Sequence, residues 1–463
     1  MKRPRQNRAP KSAPHKPTGA PSFRARGASV GNDEPSPAGT IPVQIEKPVT
    51  IEKPIYGGAF LAHFEGKAVF VPLALPGEQA RVRIVEHKRG YATAEIAEIV
   101  TSSPHRIAPA CRHFGVCGGC SYQHATYEAQ LSFKQSILRE TLQRGGVPAP
   151  ENIPVLSAQP WAWRNRIRLA FDAQGNPGYR ARRSNTIVPI AECPIAAPLL
   201  VHAAQAIAEI TRQSPAQLRP SEISLFCNAD ETALLTGLYT LAPTKLQLED
   251  FSRALAEKIP ALKGVEYTSE VRPLRAIARW GEPSLAYQAA GVAYRVDHGA
   301  FFQVNRFLVD ALVDRVTSNQ TGALAWDLFA GVGLFARKLA STFARVVAVE
   351  SAPNSTAALT ANLGGMPATA IHSDTLDFLR RAPRSNRPDL IVVDPPLTGL
   401  GPEITTLLAD LAAPSLVYVS CDPATLARDL RALIASGYVI ESLTLADLFP
   451  QTFHLESVVR LRR

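Results

Sequence analysis

Leu324-Ala325-Trp326-Asp327-Leu328-Phe329-Ala330-Gly331-Val332-Gly333-Leu334-Phe335-Ala336 is the stretch that decides the fold. An apolar run of strand length meets an acid, turns on two glycines and enters a helical pattern, the opening unit of a doubly wound sheet. Toward the C-terminus the same grammar repeats. Val346-Val347-Ala348-Val349 ends in Glu350, and Ala368 to Ile371 leads to Asp374. Leu390-Ile391-Val392-Val393 ends in Asp394-Pro395-Pro396, and Leu416-Val417-Tyr418-Val419 ends in Ser420-Cys421-Asp422-Pro423. Ligands of open parallel sheets bind at the carboxyl ends of the strands, so all five polar sets are expected to face one crevice.

Toward the N-terminus the texture changes twice. Residues 155–300 mix strands and helices without a motif of their own, and residues 106–140 hold a cysteine cluster followed by a helical pattern from Tyr127 to Leu142. From Val49, short alternating runs such as Ala68-Val69-Phe70-Val71 and Ala80-Arg81-Val82-Arg83-Ile84 are punctuated by Gly and Pro, which suggests a small barrel of the OB type. Residues 1–42 are rich in Pro, Ala, Arg, Gly and Ser without periodicity and are expected to be disordered. The expected chain is multidomain α/β: a basic tail over 1–42, an OB-like β-barrel over 43–105, a mixed α/β central domain over 106–300, and a Rossmann-like domain over 301–463.

At 463 residues the chain exceeds one ordinary core. With 46% hydrophobic and 19% charged residues it reads as globular. No apolar run reaches the roughly 20 residues of a membrane span, and the start MKRPRQNRAPKSAPHK lacks the apolar core of a secretory signal. Six cysteines are too few for a disulfide scaffold, and three fall between positions 111 and 120, which points to metal chemistry in a reducing compartment. A cytoplasmic monomer is expected. The net charge of +10 is uneven: Lys2, Arg3, Arg5, Arg8, Lys11, Lys16, Arg24 and Arg26 against Asp33 and Glu34 give the tail +6 of it. The basic balance is therefore a weak argument for a polyanionic partner.

The glycine loop alone does not name a ligand. Gly331-Val332-Gly333-Leu334-Phe335-Ala336, with Glu350 some way downstream, suits a dinucleotide and S-adenosylmethionine equally, since both need close backbone approach and a carboxylate for ribose hydroxyls. The fourth and fifth strand ends tip the reading to methyl transfer, because they offer an acid and a thiol with no hydride-transfer apparatus. A lone cysteine is usually a core residue, but Cys421 stands at a strand's carboxyl end. Uracil carbon 5 becomes nucleophilic only after addition at carbon 6, and a thiolate is the side chain for that addition. The adduct must then lose the carbon 5 proton, so a base is needed. Glu456, opening the final strand, is the candidate; His454 competes, with Asp447 or water behind it. Cys111, Cys117, Cys120 and the distant Cys193 suit zinc or an iron–sulfur cluster equally.

At this point the chain resembles the RNA (uracil-5-)-methyltransferase family. The residues that carry the resemblance are Phe301-Phe302-Gln303-Val304-Asn305, Asp327 to Gly333, Val419-Ser420-Cys421-Asp422-Pro423, and Phe449-Pro450-Gln451-Thr452-Phe453-His454-Leu455-Glu456. The resemblance implies that Gln303, Phe329, Glu350 and Asp394 bind S-adenosylmethionine, with Asp374 near the adenine, Cys421 as nucleophile and Glu456 as proton acceptor. Cys111-x5-Cys117-Gly118-Gly119-Cys120 with Cys193-Pro194 is similar to the 4Fe–4S site of the family's ribosomal branch, which implies a structural cluster and 23S ribosomal RNA as partner. Residues 43–105 look like the RNA-binding TRAM module, and Trp163-Arg164-Asn165-Arg166-Ile167-Arg168 resembles the central domain's basic motif, read as an RNA contact. Leu397, Asp422 and Leu334 depart from the family pattern. The alternatives are a transfer RNA uracil-5 methyltransferase, an RNA cytosine-5 methyltransferase, for which the Asp394-Pro395-Pro396 turn lacks the thiol, and an RNA-binding paralogue with weakened catalysis.

Overall fold

The structure, a computed structural model, describes residues 48–214, 218–240, 245–270, 275–383 and 386–463. The tail expected over 1–42 lies outside the described residues.

Strands β1 (Val49–Pro54), β2 (Ala59–Phe64), β3 (Lys67–Pro72), β4 (Gln79–Lys88) and β5 (Tyr91–Thr101) close into a barrel. Its filling follows the period of two: Ile51, Phe60, Ala62, Val69, Val71 and Val82 are buried and their neighbours face out. Glu78, fully buried, accepts from the Leu75 and Ser103 amides and from Arg106, which fastens the β3–β4 turn to the chain leaving the barrel. That chain runs through the cysteine segment into α1 (Tyr127–Arg144) and β6 (Val155–Leu156).

A seven-stranded sheet follows, built from β7 (Arg166–Phe171), β8 (Pro177–Arg180), β9 (Ile187–Pro189), β10 (Glu222–Cys227), β11 (Leu234–Thr240), β12 (Leu262–Ser269) and β13 (Ala276–Gly281). Helices α2 (Pro198–Gln213) and α3 (Lys245–Lys258) cover one face, burying Ile167, Leu169, Ile223, Leu225 and the thiol of Cys227. The hairpin β14 (Ser284–Ala289) and β15 (Val292–Asp297) belongs to a different core: Tyr287 and Tyr294 pack on Phe302.

The C-terminal body alternates α4 (Val309–Thr317), β16 (Gly322–Leu328), α5 (Leu334–Leu339), β17 (Phe343–Glu350), α6 (Pro353–Asn362), β18 (Ala368–His372), α7 (Thr375–Arg381), β19 (Leu390–Val393), α8 (Gly401–Leu411), β20 (Ser415–Ser420), α9 (Pro423–Ala435), β21 (Val439–Ala446) and β22 (Glu456–Arg462). The sheet order is β18-β17-β16-β19-β20-β22-β21-β6, parallel from β18 to β20 and antiparallel at β22. The winding direction reverses between β16 and β19, so the crevice falls there, between the glycine loop and the Asp394 turn. Pieces of the 106–300 segment complete this body. Strand β6 pairs with β21, α1 packs on α9, and the β14–β15 hairpin packs under α6. Among the described residues no helix is long and apolar enough to cross a membrane.

Candidate active site

The β20–β22 ladder sets the central pair. Its last antiparallel partners are Ser420 and Ser457, so one step further along, Cys421 stands opposite Glu456. The turn after β20 is fixed on both sides of the thiol. Ser420 Oγ donates to the Asp422 carbonyl at 3.1 Å, and Ser457 Oγ to the Ser420 carbonyl at 3.3 Å. Asp422 caps α9, accepting from the amides of Ala424 at 3.0 Å and Thr425 at 2.8 Å, with Pro423 opening the helix. This departure from the family pattern keeps a capping side chain.

Burial is the first cause of every large shift in the site. It raises the Cys421 thiol, and the nearby Glu456, Asp394 and Asp422 carboxyls raise it further. Glu456 is 5% exposed with Oε1 unpartnered, and burial followed by Asp394 holds its carboxyl well above the ordinary range. Burial pushes Asp394 up to about 7. Buried carboxyls raised in this way favour their protonated forms, a preference that a neighbouring cation would reverse.

The glycine loop is held by acids at neighbouring strand ends. Glu350 accepts from Gly331 N at 2.8 Å and Ala352 N at 2.6 Å. Phe329 takes a left-handed φ of 66° and Gly333 one of 89°, a backbone conformation that favours glycine at the start of α5. Asp327, fully buried, accepts from Ala336 N at 2.8 Å and is pushed up to about 8 by burial, with Asp394 and Glu350 adding to it. Gln303 Nε2 donates to Asp394 at 3.4 Å, which joins those two expected ligands. Asp374 stands apart, exposed at the end of β18 and capping α7 through the Leu376 amide. Leu334 is buried at the start of α5, and Leu397 is 40% exposed beyond the Asp394 turn.

The competitors for the base role are engaged elsewhere. His454 lies 4.2 Å from the Phe453 ring, and burial lowers its imidazole to about 4, which makes it a weak proton acceptor. Asp447 is fully buried and paired: Lys134 Nζ donates to Oδ1 at 2.5 Å and Tyr127 Oη to Oδ2 at 2.8 Å. These contacts belong to a brace that no local sequence signal announces. Gln130 exchanges two hydrogen bonds with Gln451, at 2.9 and 3.0 Å, and Gln451 itself has a φ of 68°. The Gln451 carbonyl accepts from Ser121 N and Tyr122 N, directly after Cys120. Tyr56, on the barrel turn between β1 and β2, was equally unforeseen; its hydroxyl donates to the Cys421 carbonyl at 3.3 Å.

Cys111, Cys117, Cys120 and Cys193 line one cavity, all as free thiols, with Arg164 and Tyr179 in its wall. Burial raises Cys117, Cys193 and Cys120, the last to about 12. Among the described residues no three His, Cys, Asp or Glu side chains converge closely enough to hold a metal ion. The four thiols nonetheless line the same cavity, and as a donor set they suit a zinc ion or an iron–sulfur cluster. In the basic motif, Trp163 is 1% exposed and packs on Phe449, which takes this aromatic out of the expected RNA contact. Arg168 remains exposed, over the Tyr239 ring and beside Glu222.

The family model described as tRNA (Uracil-5-)-methyltransferase matches residues 384–463, and that of the TRAM domain matches 44–97. A Klebsiella pneumoniae protein named 23S rRNA (uracil(1939)-C(5))-methyltransferase RlmD is 32% identical over 88% of this chain and 93% of its own length. The Chromohalobacter salexigens protein of the same name is 31% identical over 95% and 92%. A solved Pyrococcus abyssi tRNA (uracil-54, C5)-methyltransferase in complex with S-adenosyl-L-homocysteine shares the fold, with a TM-score of 0.72 over 89% of this chain and 100% of that one at 24% identity. Identity at this level across nearly the whole chain decides the matter: the chain belongs to the RNA (uracil-5-)-methyltransferase family, whose members methylate uracil carbon 5 from S-adenosylmethionine.

Proposed function

We propose that this activity is directed at a uridine of 23S ribosomal RNA and proceeds through a covalent Cys421 adduct. The observation that carries the mechanism is the end of the β20–β22 ladder, where a thiol faces a buried carboxyl with an unpartnered oxygen. The substrate follows the names of relatives that align over almost their full length.

In this reading Cys421 and Glu456 enter the reaction ionised, their protons released to solvent as the cationic cofactor binds; the Cys421 thiolate bonds to carbon 6, and the displaced carbon 5–carbon 6 electron pair makes carbon 5 nucleophilic. S-adenosylmethionine supplies the methyl group and a sulfonium charge, and S-adenosylhomocysteine leaves as the S–CH3 bond breaks. Glu456 takes the carbon 5 proton, the carbon 6–sulfur bond breaks, and Cys421 departs as thiolate. Gln303, Phe329, Glu350 and Asp394 would hold the cofactor at the β16–β19 switch point, with Asp374 assigned to its adenine. The four cysteines would hold a 4Fe–4S cluster in a structural role, and residues 43–105 would grip RNA as a TRAM domain. The protein is read as a monomer, and free thiols with an RNA substrate suit the cytoplasm.

Glu456→Gln separates the two halves of the reaction. The variant should still add to uracil and methylate it, then accumulate a covalent protein–RNA complex, seen as a heat-stable shift on a denaturing gel. Cys421→Ala, alone or combined with Glu456→Gln, should show no shift. Normal turnover by Glu456→Gln without a trapped species would refute the base assignment.

A further inference from the structure

The β1–β2 turn of the barrel, Tyr56-Gly57-Gly58, does not face solvent alone. Tyr56 sits among the apolar side chains of the C-terminal body, edge-on to Phe453 with ring centroids 5.7 Å apart. Gly58 is what permits this approach, since a Cβ there would lie 3.0 Å from Ser121 Oγ and 3.1 Å from the Phe453 ring. The turn is thus wedged between the segment that follows Cys120 and the loop that leads to Glu456. The Tyr56 hydroxyl ends 3.3 Å from the Cys421 carbonyl, with the Asp422 carboxylate beside it.

This contact completes the nucleophile turn. Ser420 and Asp422 on either side of Cys421 are fixed by Ser457 and by the start of α9, all within the C-terminal body. The peptide carbonyl of Cys421 itself is taken by a residue 365 positions away. A thiol attacks carbon 6 productively only over a narrow range of positions, and a shift of about 1 Å costs roughly a hundredfold in rate. We propose that Tyr56 is a positioning residue for Cys421, so that the barrel, besides meeting RNA, supplies part of the nucleophile's alignment. The proposal rests on Cys421 being the nucleophile.

The test uses the full-length protein and RNA carrying 5-fluorouridine at the target site. Fluorine replaces the proton that must leave carbon 5, so the reaction halts after thiol addition and methyl transfer, and the readout is independent of Glu456. Tyr56→Phe keeps the ring against Phe453 and removes only the hydroxyl; Tyr56→Leu removes both. At saturating RNA and S-adenosylmethionine, Tyr56→Phe should form the adduct about tenfold more slowly, the scale of one lost hydrogen bond. RNA affinity and thermal stability should stay near wild type, and Tyr56→Leu should be slower still. An unchanged adduct rate in Tyr56→Phe overturns the proposal. So does a defect confined to RNA affinity, which would make Tyr56 a substrate contact. If wild type itself forms no adduct, the Cys421 reading fails and takes this proposal with it.

Discussion

Asp327 and Asp394, buried beside the glycine loop and at the end of β19, make the protein's stability depend on pH. An aspartate in an unfolded chain titrates near 3.9, whereas burial holds these two at about 8 and about 7. Between about pH 4 and 8 the folded protein therefore binds more protons than the unfolded one, so its ligand-free stability falls as pH rises through that window. Glu456, raised by burial as well, adds in the same direction. A sulfonium cation in the crevice favours the ionised carboxylates and opposes the trend. Melting temperature should accordingly fall from pH 5 to 9 without ligand, and the stabilisation by S-adenosylmethionine should grow over the same range. Asp394→Asn should flatten both slopes; identical slopes in wild type and variant would show that Asp394 does not titrate in the site.

Among elements, α1 illustrates what a sequence shows and what it hides. The helical pattern from Tyr127 is visible, and so are the five strand ends of the crevice, because apolar runs ending in polar residues are local signals. The structure puts Cys421 opposite Glu456, as their strand-end positions allow. Tyr127, Gln130 and Lys134, by contrast, carry no local sign of what they pack against. At positions i, i+3 and i+7 they lie on one side of the helix, and that side is buried against the 447–451 loop. Nothing local distinguishes a buried lysine from an exposed one; the difference lies in Asp447, more than three hundred residues later. Trp163 misleads for the same reason, since its partner Phe449 is equally remote. Lys134 is fully buried, and besides Asp447 it donates to the Phe449 carbonyl at 2.9 Å. Lys134→Met strands the Asp447 charge and should destabilise the protein by about 3–5 kcal/mol in denaturant unfolding. Lys134→Met with Asp447→Asn should recover much of that loss. A single-variant effect below about 1 kcal/mol would mean the pair carries no such weight.

At the scale of the molecule, the cysteine cavity sits where three parts of the chain meet. Its walls come from the segment after the barrel, from Arg164 and Tyr179 of the central region, and from the stretch around Cys193. The backbone just beyond Cys120 then holds the Gln451 carbonyl, on the loop that ends in Glu456. A group bound by all four thiols would cross-link these parts and constrain the unfolded chain as a disulfide does. Protein purified without oxygen should be brown, with broad visible absorbance. Cys193→Ala should bleach it and lower the melting temperature. Because Gln451 is strained in a left-handed conformation and depends on its hydrogen bonds, the variant should also turn over more slowly at saturating RNA, while 5-fluorouridine trapping through Cys421 suffers less. That split would place the damage at the base loop. A colourless native protein carrying one zinc would overturn the iron assignment, and equal losses in turnover and trapping would sever the cavity from Glu456.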